Sequence, residues 1–385
     1  MRILVAHAFY RIPGGEDRYV EQQVELLRER HQVELFSARN EELKGSSEAA
    51  LRMLAPGGVR KRLEAVARGL APDVIHVHNI YPALGAAVHT LARKLDVPLV
   101  MTVHNHRLRC PNGYRFTEGQ VCDRCVGGNH LHALMHECFP SKGQAAGYAT
   151  ALWIDRFARR VDTHVDLFIA PSRYMADRLG MWGISPDRVR MVRNFTDTSA
   201  RPATPAEHGV YAGRLSSEKG LDVLLEALKR CGDPPFELLG DGPLSAPLEK
   251  MASDLGLHNL KFRGRVDRVE LDRLLATARY FVMPSLSDEN APLAVFEAMA
   301  RGVPPVVSNR GGLPELAQDS ALVTIPGDPE DLARAIEALR RDDELRSRAS
   351  RAARDFAVSE LGPDRHRDQL EAVYEAAVAM RAPTP

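Results

Sequence analysis

Short apolar runs alternate with stretches of helical periodicity along most of the chain. In the first half, strands are predicted at Ile3–Ala6, Val33–Phe36, Val74–Val77, Leu99–Val103 and Leu167–Ala170. A helix follows the first run, because Val20, Val24 and Leu27 recur at helical spacing. Apolar strands separated by helices are typical of a parallel sheet that is covered on both faces.

The same pattern starts again after a linker at residues 201–208, which has two prolines and no periodicity. Further strands are predicted at Val210–Ala212, Phe236–Leu239, Leu260–Phe262, Tyr280–Met283 and Pro305–Val307. We therefore predict two Rossmann-like α/β domains that face each other across a cleft, residues 1–203 and 204–363. A last helix, in residues 364–385, is expected to pack back on the first domain.

Composition and charge exclude several classes of protein. Lys+Arg and Asp+Glu both number 51 among 385 residues, so no excess charge favours nucleic acid as a partner. No apolar run approaches the roughly 18 residues of a membrane span, and the N-terminal run does not resemble a signal peptide. These features predict a cytoplasmic protein. The basic cluster at Arg60, Lys61 and Arg62 leaves open a peripheral contact with the inner face of the membrane.

The sharpest local signal is a pair of carboxylates after the predicted strand Tyr280–Met283. Pro292 is predicted as the first residue of a helix, which places Glu289 in the preceding loop and Glu297 in the second turn. The free amides of a helix N-terminus can bind phosphate. Glu289 would then lie beside the group that is attached to the phosphate, and Glu297 could accept hydrogen bonds from a diol. The alternative is that Glu289 only caps the helix and Glu297 is solvated.

Basic residues and glycine turns follow the other strands predicted in this domain. Arg214 and Lys219 follow Val210–Ala212, where two cations could clamp a diphosphate. The chain contains, in order, G-R-L-S-S-E-K-G, L-G-D-G-P, F-R-G-R-V, two Glu spaced as E-x7-E, and N-R-G-G-L-P-E. This ordered set resembles glycosyltransferase family 4, whose members have the GT-B fold of two Rossmann-like domains.

The resemblance implies a retaining hexosyltransferase that takes a sugar from a UDP- or GDP-linked donor. It implies that Glu289 binds the donor sugar or stabilises the charged transition state. It assigns binding of the donor diphosphate to Arg214, Lys219, Leu293, Ala294 and Gly15. It assigns binding of the ribose to Glu297, and binding of the base to the backbone at Gly264 and Arg265.

The catalytic mechanism stays open at this stage. The leaving phosphate could take the acceptor proton on the front face, or a carboxylate about 3 Å from the anomeric carbon could form a covalent intermediate. No Asp-x-Asp motif stands in a donor loop, so transfer without a metal cofactor is expected.

Glycines and histidines at strand ends provide the candidate site of the first domain. Pro13, Gly14 and Gly15 follow the first strand, where glycines let a ligand approach the backbone; a plain strand-to-helix turn is the alternative. His104 follows the strand Leu99–Val103 and matches a histidine that lies near the donor sugar in the family. Gly14 and His78 are the candidates for the acceptor side.

Four of the five cysteines lie in an insertion at about residues 108–142, namely Cys110, Cys122, Cys125 and Cys138. A Cys-x2-Cys pair flanked by two more thiols can hold a structural zinc ion, which would staple a segment that has little apolar core. Two disulfides and four free thiols are the alternatives.

Other classes of function remain to be separated from glycosyl transfer. A nucleotide-sugar epimerase has the same two-domain architecture but transfers nothing to an acceptor. A catalytically idle nucleotide-binding scaffold is the second alternative. For a transferase, the acceptor would be a carbohydrate, a lipid-linked sugar or a small molecule, as in the assembly of polysaccharides, glycolipids or natural products.

Overall fold

The computed structural model describes residues 1–12, 14–43, 46–159, 161–316 and 320–381. Pro13, and the last four residues of the predicted C-terminal segment, therefore lie outside the described residues. The chain divides into two compact units: residues 1–118, 122–193 and 366–385 form the first, and residues 119–121 and 194–365 form the second. The chain passes from the first unit to the second between Arg193 and Asn194, before the predicted linker.

Parallel strands form the sheet of the first unit, in the order β2-β1-β3-β4-β7-β8 over the described residues. The strands of this half of the chain are β1 Arg2–Phe9, β2 Gln32–Arg39, β3 Val74–Val77, β4 Leu99–Thr102, β5 Phe116–Thr117, β6 Gln120–Val121, β7 Leu167–Ala170 and β8 Val189–Met191. The central strands β3, β4 and β7 are buried along their whole length, because helices cover both faces of the sheet.

The helices described in the first half of the chain alternate with these strands. They are α1 Gly15–Arg28, α2 Ser46–Leu54, α3 Gly57–Leu70, α4 Ala87–Leu95, α5 His132–Met135, α6 Lys142–Trp153 and α7 Arg173–Met181. The five predicted strands are confirmed, with small differences at their ends. The sequence analysis missed β8, a three-residue edge strand in which Arg190 separates Val189 from Met191, so that no continuous apolar run marks it.

The second unit has the same architecture, a six-stranded sheet with the strand order β11-β10-β9-β12-β13-β14. Its strands are again all parallel over the described residues. Its strands are β9 Gly209–Ala212, β10 Phe236–Leu239, β11 Leu260–Gly264, β12 Tyr280–Met283, β13 Pro305–Ser308 and β14 Leu322–Thr324. Its helices are α8 Leu221–Arg230, α9 Ser245–Leu255, α10 Arg268–Leu275, α11 Leu293–Ala300, α12 Pro329–Arg341 and α13 Asp343–Glu360. The sequence analysis also missed the edge strand β14, which has only three residues.

The last helix, α14, spans Pro363–Ala379, and its residues from His366 onward belong to the first unit. Its buried side chains contact α1 and β3: the Tyr374 hydroxyl lies 2.7 Å from Nδ1 of His76, and Nε2 of His366 lies 3.1 Å from the Tyr19 hydroxyl. Among the described residues, no helix is both long and apolar enough to cross a membrane.

Candidate functional site

The first candidate cluster lies in the second unit, at the carboxyl ends of the neighbouring strands β9 and β12. The chain runs outward from β9 to β10 and β11, and then returns to β12 on the other side of β9. Open parallel sheets bind ligands at such a switch point. Lys219 follows β9 and Glu289 follows β12, so two of the predicted donor-site residues lie at this edge.

Lys219 and Glu289 form an ion pair, with 2.6 Å between Nζ and Oε1. The Ser285 hydroxyl donates a hydrogen bond to the same carboxylate oxygen, also over 2.6 Å. The side chains of Lys219 and Glu289 are 20% and 12% exposed, so the pair is largely desolvated but not sealed from water. The ammonium group can bind an anion, and the carboxylate can accept hydrogen bonds from hydroxyl groups. A ligand that has both an anionic group and hydroxyl groups could therefore replace the ion pair.

The loop after β9 is fixed against the loop after β12, which explains how the ion pair forms. The main-chain oxygen of Glu218 accepts hydrogen bonds from the amides of Leu286 and Ser287, over 2.9 and 3.1 Å. Gly220 has φ +62°, and a Cβ there would lie 2.3 Å from the carbonyl oxygen of Pro284. Only glycine therefore allows the two loops to approach this closely.

A third loop, after β13, holds the main chain of Glu289. The Gly312 amide donates to the Glu289 carbonyl oxygen over 2.7 Å, and the Gly311 amide donates to Oδ1 of Asp288 over 3.1 Å. A Cβ on Gly311, which has φ +58°, would lie 2.1 Å from the Glu289 carbonyl oxygen. The Gly-Gly pair of N-R-G-G-L-P-E therefore supports the position of the carboxylate, a role that the sequence analysis did not assign.

Arg214 lies in the same loop as Lys219. The hydroxyl of buried Tyr211 donates to the Arg214 carbonyl oxygen over 2.9 Å, which fixes the main chain, while the Arg214 side chain is exposed. A Cβ on Gly213 would lie 2.6 Å from this hydroxyl, so glycine is needed between the two residues. The main chain that carries the exposed Arg214 side chain is thus held at the carboxyl end of the sheet.

The helix after Glu289 differs from the prediction at its first residue. α11 begins at Leu293, and Pro292 precedes it with an extended ψ of 117°, so Pro292 is not the first helical residue. Leu293 and Ala294 therefore carry the first amides of the helix. Glu297 lies in the second turn, as predicted, but it is 3% exposed and forms an ion pair with Arg268 of α10. The alternative that Glu297 is a solvated residue is wrong, and Arg268 is a partner that the sequence analysis missed.

The turn after β11 lies beside the turns after β9 and β10. The Gly240 amide donates to the Gly264 carbonyl oxygen over 2.7 Å, and a Cβ on Gly240 would lie 1.8 Å from the Gly213 carbonyl oxygen. Gly264 has φ +63°, and no atom lies within 4 Å of where its Cβ would be. Gly264 and exposed Arg265 thus form an accessible turn at the same edge of the sheet, and their contact with the base stays a prediction.

The first unit has its own switch point, between β1 and β3. There Asp17, in the first turn of α1, accepts hydrogen bonds from the amides of Gly14 and Tyr10 over 2.9 and 3.1 Å, and its Oδ1 lies 2.9 Å from Nε2 of His7. Gly14 precedes the helix and Gly15 is its first residue. Asp17 thus occupies one amide that the glycine turn would otherwise offer to a ligand.

Two of the predicted histidines meet at this edge of the first sheet. Nδ1 of His78 lies 2.9 Å from Nε2 of His104, and the two rings are nearly parallel, with centroids 5.2 Å apart. Burial lowers the pKa of His104 to about 3 and holds the pKa of His78 well below its usual range. Both imidazoles are therefore neutral at neutral pH. Because His78 is only 1% exposed, it is poorly placed for the acceptor contact predicted for it.

A half-buried glutamate that the sequence analysis did not single out lies close by. Oε2 of Glu16 accepts hydrogen bonds from the Tyr10 hydroxyl and from Nδ2 of Asn105, over 2.9 and 3.2 Å. Burial raises the pKa of Glu16, and its other oxygen has no hydrogen-bond partner among the described residues. Only the folded structure reveals this carboxylate, since Asn105 is 89 residues away in sequence.

The four cysteines of the insertion line one small cavity together with His132 and His136. All four are free thiols, and burial raises the pKa of Cys125 to about 12. Within the described part of the chain, no three His, Cys, Asp or Glu side chains are placed to hold a metal ion as they stand. The structure therefore brings the predicted thiols together but does not arrange them as a ligand set.

Two α/β units, each with polar loops at the carboxyl ends of an all-parallel sheet, define the GT-B class of glycosyltransferases. The family model described as Glycosyltransferase Family 4 matches residues 13–200, and the model described as Glycosyl transferases group 1 matches residues 201–356. The chain belongs to glycosyltransferase family 4.

Curated relatives are also glycosyltransferases, and a solved structure has the same fold. The chain is 26% identical to the sulfoquinovosyl transferase SQD2 of Arabidopsis thaliana, over 74% of this chain and 53% of that protein. It is 31% identical to the lipopolysaccharide core biosynthesis glycosyltransferase LpsE of Rhizobium meliloti, over 58% of this chain and 66% of that protein. The chain thus spans about half to two thirds of the length of these relatives. The crystal structure of Anabaena HepE in complex with UDP has the same fold, with a TM-score of 0.71 at 20% identity over 98% of this chain and all of that one.

Proposed function

We propose that the protein transfers a sugar from a nucleotide diphosphate donor to an acceptor, with retention of the anomeric configuration. The observation that carries this proposal is the Lys219–Glu289 ion pair at the switch point of the second sheet. A nucleotide sugar presents a diphosphate for Lys219 and Arg214 and hydroxyl groups for Glu289. Glu297, held by Arg268, is proposed to bind the ribose, and the first amides of α11 to bind the phosphates.

The relatives direct the choice of substrates to test. HepE was solved with UDP, so UDP is the first nucleotide and UDP-linked hexoses are the first donors. SQD2 and LpsE are named for sulfoquinovosyl transfer and for lipopolysaccharide core biosynthesis, which makes carbohydrates and glycolipids the first acceptors. A membrane-bound acceptor would suit the exposed basic residues Arg60, Lys61 and Arg62 on α3. We propose that catalysis needs no metal.

Binding of the donor nucleotide can be tested by thermal unfolding with UDP, GDP and ADP. A nucleotide at about 100 times its Kd should stabilise the wild type by about 2.7 kcal/mol. Arg214→Ala should lose most of this effect because it removes a phosphate-binding cation. Arg334→Ala is the matched control, since Arg334 is an exposed arginine on α12 paired with Glu330. If no nucleotide raises the melting temperature of the folded wild type, the donor site is wrongly assigned.

Transfer must also be separated from epimerisation of the donor. The measurement is product analysis of a UDP-hexose incubated with the enzyme, with and without glycolipid acceptors. A glycosylated acceptor in the α configuration from an α-linked donor supports retaining transfer. Release of an epimeric sugar in the absence of an acceptor would instead support an epimerase.

We further propose that Cys110, Cys122, Cys125 and Cys138 bind a structural zinc ion, with their sulfur atoms moving into the cavity that they line. Purified protein should contain about one zinc per chain, and Cys122→Ser or Cys125→Ser should lose it. Cys231→Ser, in the second unit, is the control that should keep it. Zinc-free wild type with two disulfides, or with four thiols that can all be alkylated, would contradict this proposal.

A further inference from the structure

The His78–His104 pair joins the ends of two neighbouring strands. His78 directly follows β3 and His104 lies two residues after β4, and the strands are hydrogen-bonded neighbours. The 2.9 Å between Nδ1 of His78 and Nε2 of His104 is a hydrogen-bond distance, and both rings are neutral at neutral pH. One of the two nitrogens must therefore donate and the other accept.

The surroundings of His78 decide the direction of this bond. Nε2 of His78 is buried and has no hydrogen-bond partner among the described residues. If His104 donated, His78 would carry its hydrogen on this buried nitrogen, and orphaned buried N–H groups are rare in proteins. If His78 donates from Nδ1, its Nε2 is a bare lone pair and no N–H is left unpaired. The second arrangement is the more stable one.

The ring of His78 is also held in place by its neighbours. The ring of His76 lies against it, with centroids 4.3 Å apart, and His76 itself contacts the hydroxyl groups of Tyr374 and Thr102 through its two nitrogens. Tyr19 meets both His78 and His104 edge-on, at 6.0 and 5.1 Å. The other titratable groups around the pair are His7 and His366. His78 is therefore a fixed donor, while His104 is the more exposed of the two rings.

We propose that His78 is a positioning residue: its Nδ1–H holds His104 in the tautomer that carries its hydrogen on Nδ1 and fixes the orientation of the ring. His104 then presents an N–H to a sugar hydroxyl instead of a bare nitrogen. This inference rests on the proposed function, in which His104 contacts a sugar. It replaces the acceptor-side role that the sequence suggested for His78.

The first test compares His78→Leu with His78→Asn in a transfer assay. Leu removes the donor, so kcat should fall on the order of 10- to 100-fold, as when the hydrogen-bond partner that orients a metal-bound histidine is removed. Asn keeps an N–H donor near the position of Nδ1 and should restore kcat to within a few-fold of the wild type. If Asn is as impaired as Leu, the hydrogen bond is not what His78 supplies.

A double-mutant cycle separates positioning from a purely structural role. If His78 acts through His104, then His78→Leu should cause no further loss of kcat in a His104→Ala background. Two losses that multiply would overturn the proposal, because His78 would then support activity by another route.

A spectroscopic test does not depend on any activity. Nitrogen-15 NMR of the histidine rings should show His104 protonated on Nδ1 in the wild type and in His78→Asn. In His78→Leu this tautomer should give way to a mixture. A wild-type His104 protonated on Nε2 would refute the inference. If the wild type transfers no sugar but the NMR result is as expected, the proposed function fails and the hydrogen-bond assignment stands.

Discussion

Glu289→Gln should lower the rate of sugar transfer by roughly 10²- to 10³-fold, the usual effect of losing one preorganised polar contact with a transition state. The amide keeps the size of the carboxylate and can still accept the hydrogen bond from Ser285. It loses the negative charge that we propose acts on the donor sugar. The measurement is kcat with a saturating donor, together with the Kd of the nucleoside diphosphate.

The two members of the ion pair should have opposite effects on nucleotide binding. Glu289→Gln leaves Lys219 without its carboxylate partner, so the Kd of the nucleoside diphosphate should stay the same or decrease. Lys219→Met removes a phosphate-binding cation and should increase that Kd. Glu270→Gln is the control for the loss of a negative charge, because Glu270 is paired with Arg273 on α10 in the same unit. Transfer by Glu289→Gln within two-fold of the wild type would show that this carboxylate is not part of the catalytic site.

The first unit should lose stability steeply in mild acid. Burial lowers the pKa of His76 and His104 to about 3, and that of His89 and His366 to about 4, whereas an unfolded histidine titrates near 6.5. Below pH 6.5 these histidines become protonated in the unfolded chain but stay neutral in the folded protein. Their contribution to stability is therefore complete above pH 6.5 and is lost as the pH falls towards 3 to 4. At pH 5 the loss is about 2 kcal/mol for each histidine.

This acid sensitivity can be measured by urea denaturation at pH 7.5 and pH 5.0. Both tryptophans of the chain, Trp153 and Trp182, lie in the first unit, so tryptophan fluorescence reports the unfolding of that unit. His89→Leu should reduce the loss between the two pH values by about 2 kcal/mol, because His89 is buried on α4 and does not contact the candidate site. His258→Gln, an exposed position in the second unit, should not change it. Equal free energies of unfolding of the wild type at both pH values would contradict the prediction.

The strands could be predicted from the sequence because those in the middle of each sheet are apolar from end to end. β3, β7, β10 and β12 have the predicted bounds. The edge strands β8 and β14 have three residues each, which is too few to give a clear pattern of apolar and polar positions. The position of Pro292 was off by one residue because proline fits both the first helical position and the extended residue before it.

The candidate site was predictable as a set of positions, but not as a set of contacts. Family spacing selected Lys219, Glu289, Glu297 and His104 as candidates, and their roles stay predictions. It did not reveal that Lys219 and Glu289, 70 residues apart, form an ion pair, or that Glu297 is paired with Arg268. Such partners depend on which strands are neighbours, and strand order is not encoded in the local pattern of apolar and polar residues.

The return of α14 to the first unit has a consequence for the synthesis of the protein. The second unit is essentially one continuous stretch, residues 194–365, and all of it is made before most of α14 leaves the ribosome. The first unit lacks His366 and Tyr374 until α14 has been made. During translation, the Tyr19 hydroxyl and the ring of His76 therefore gain these two partners only after the second unit has been made.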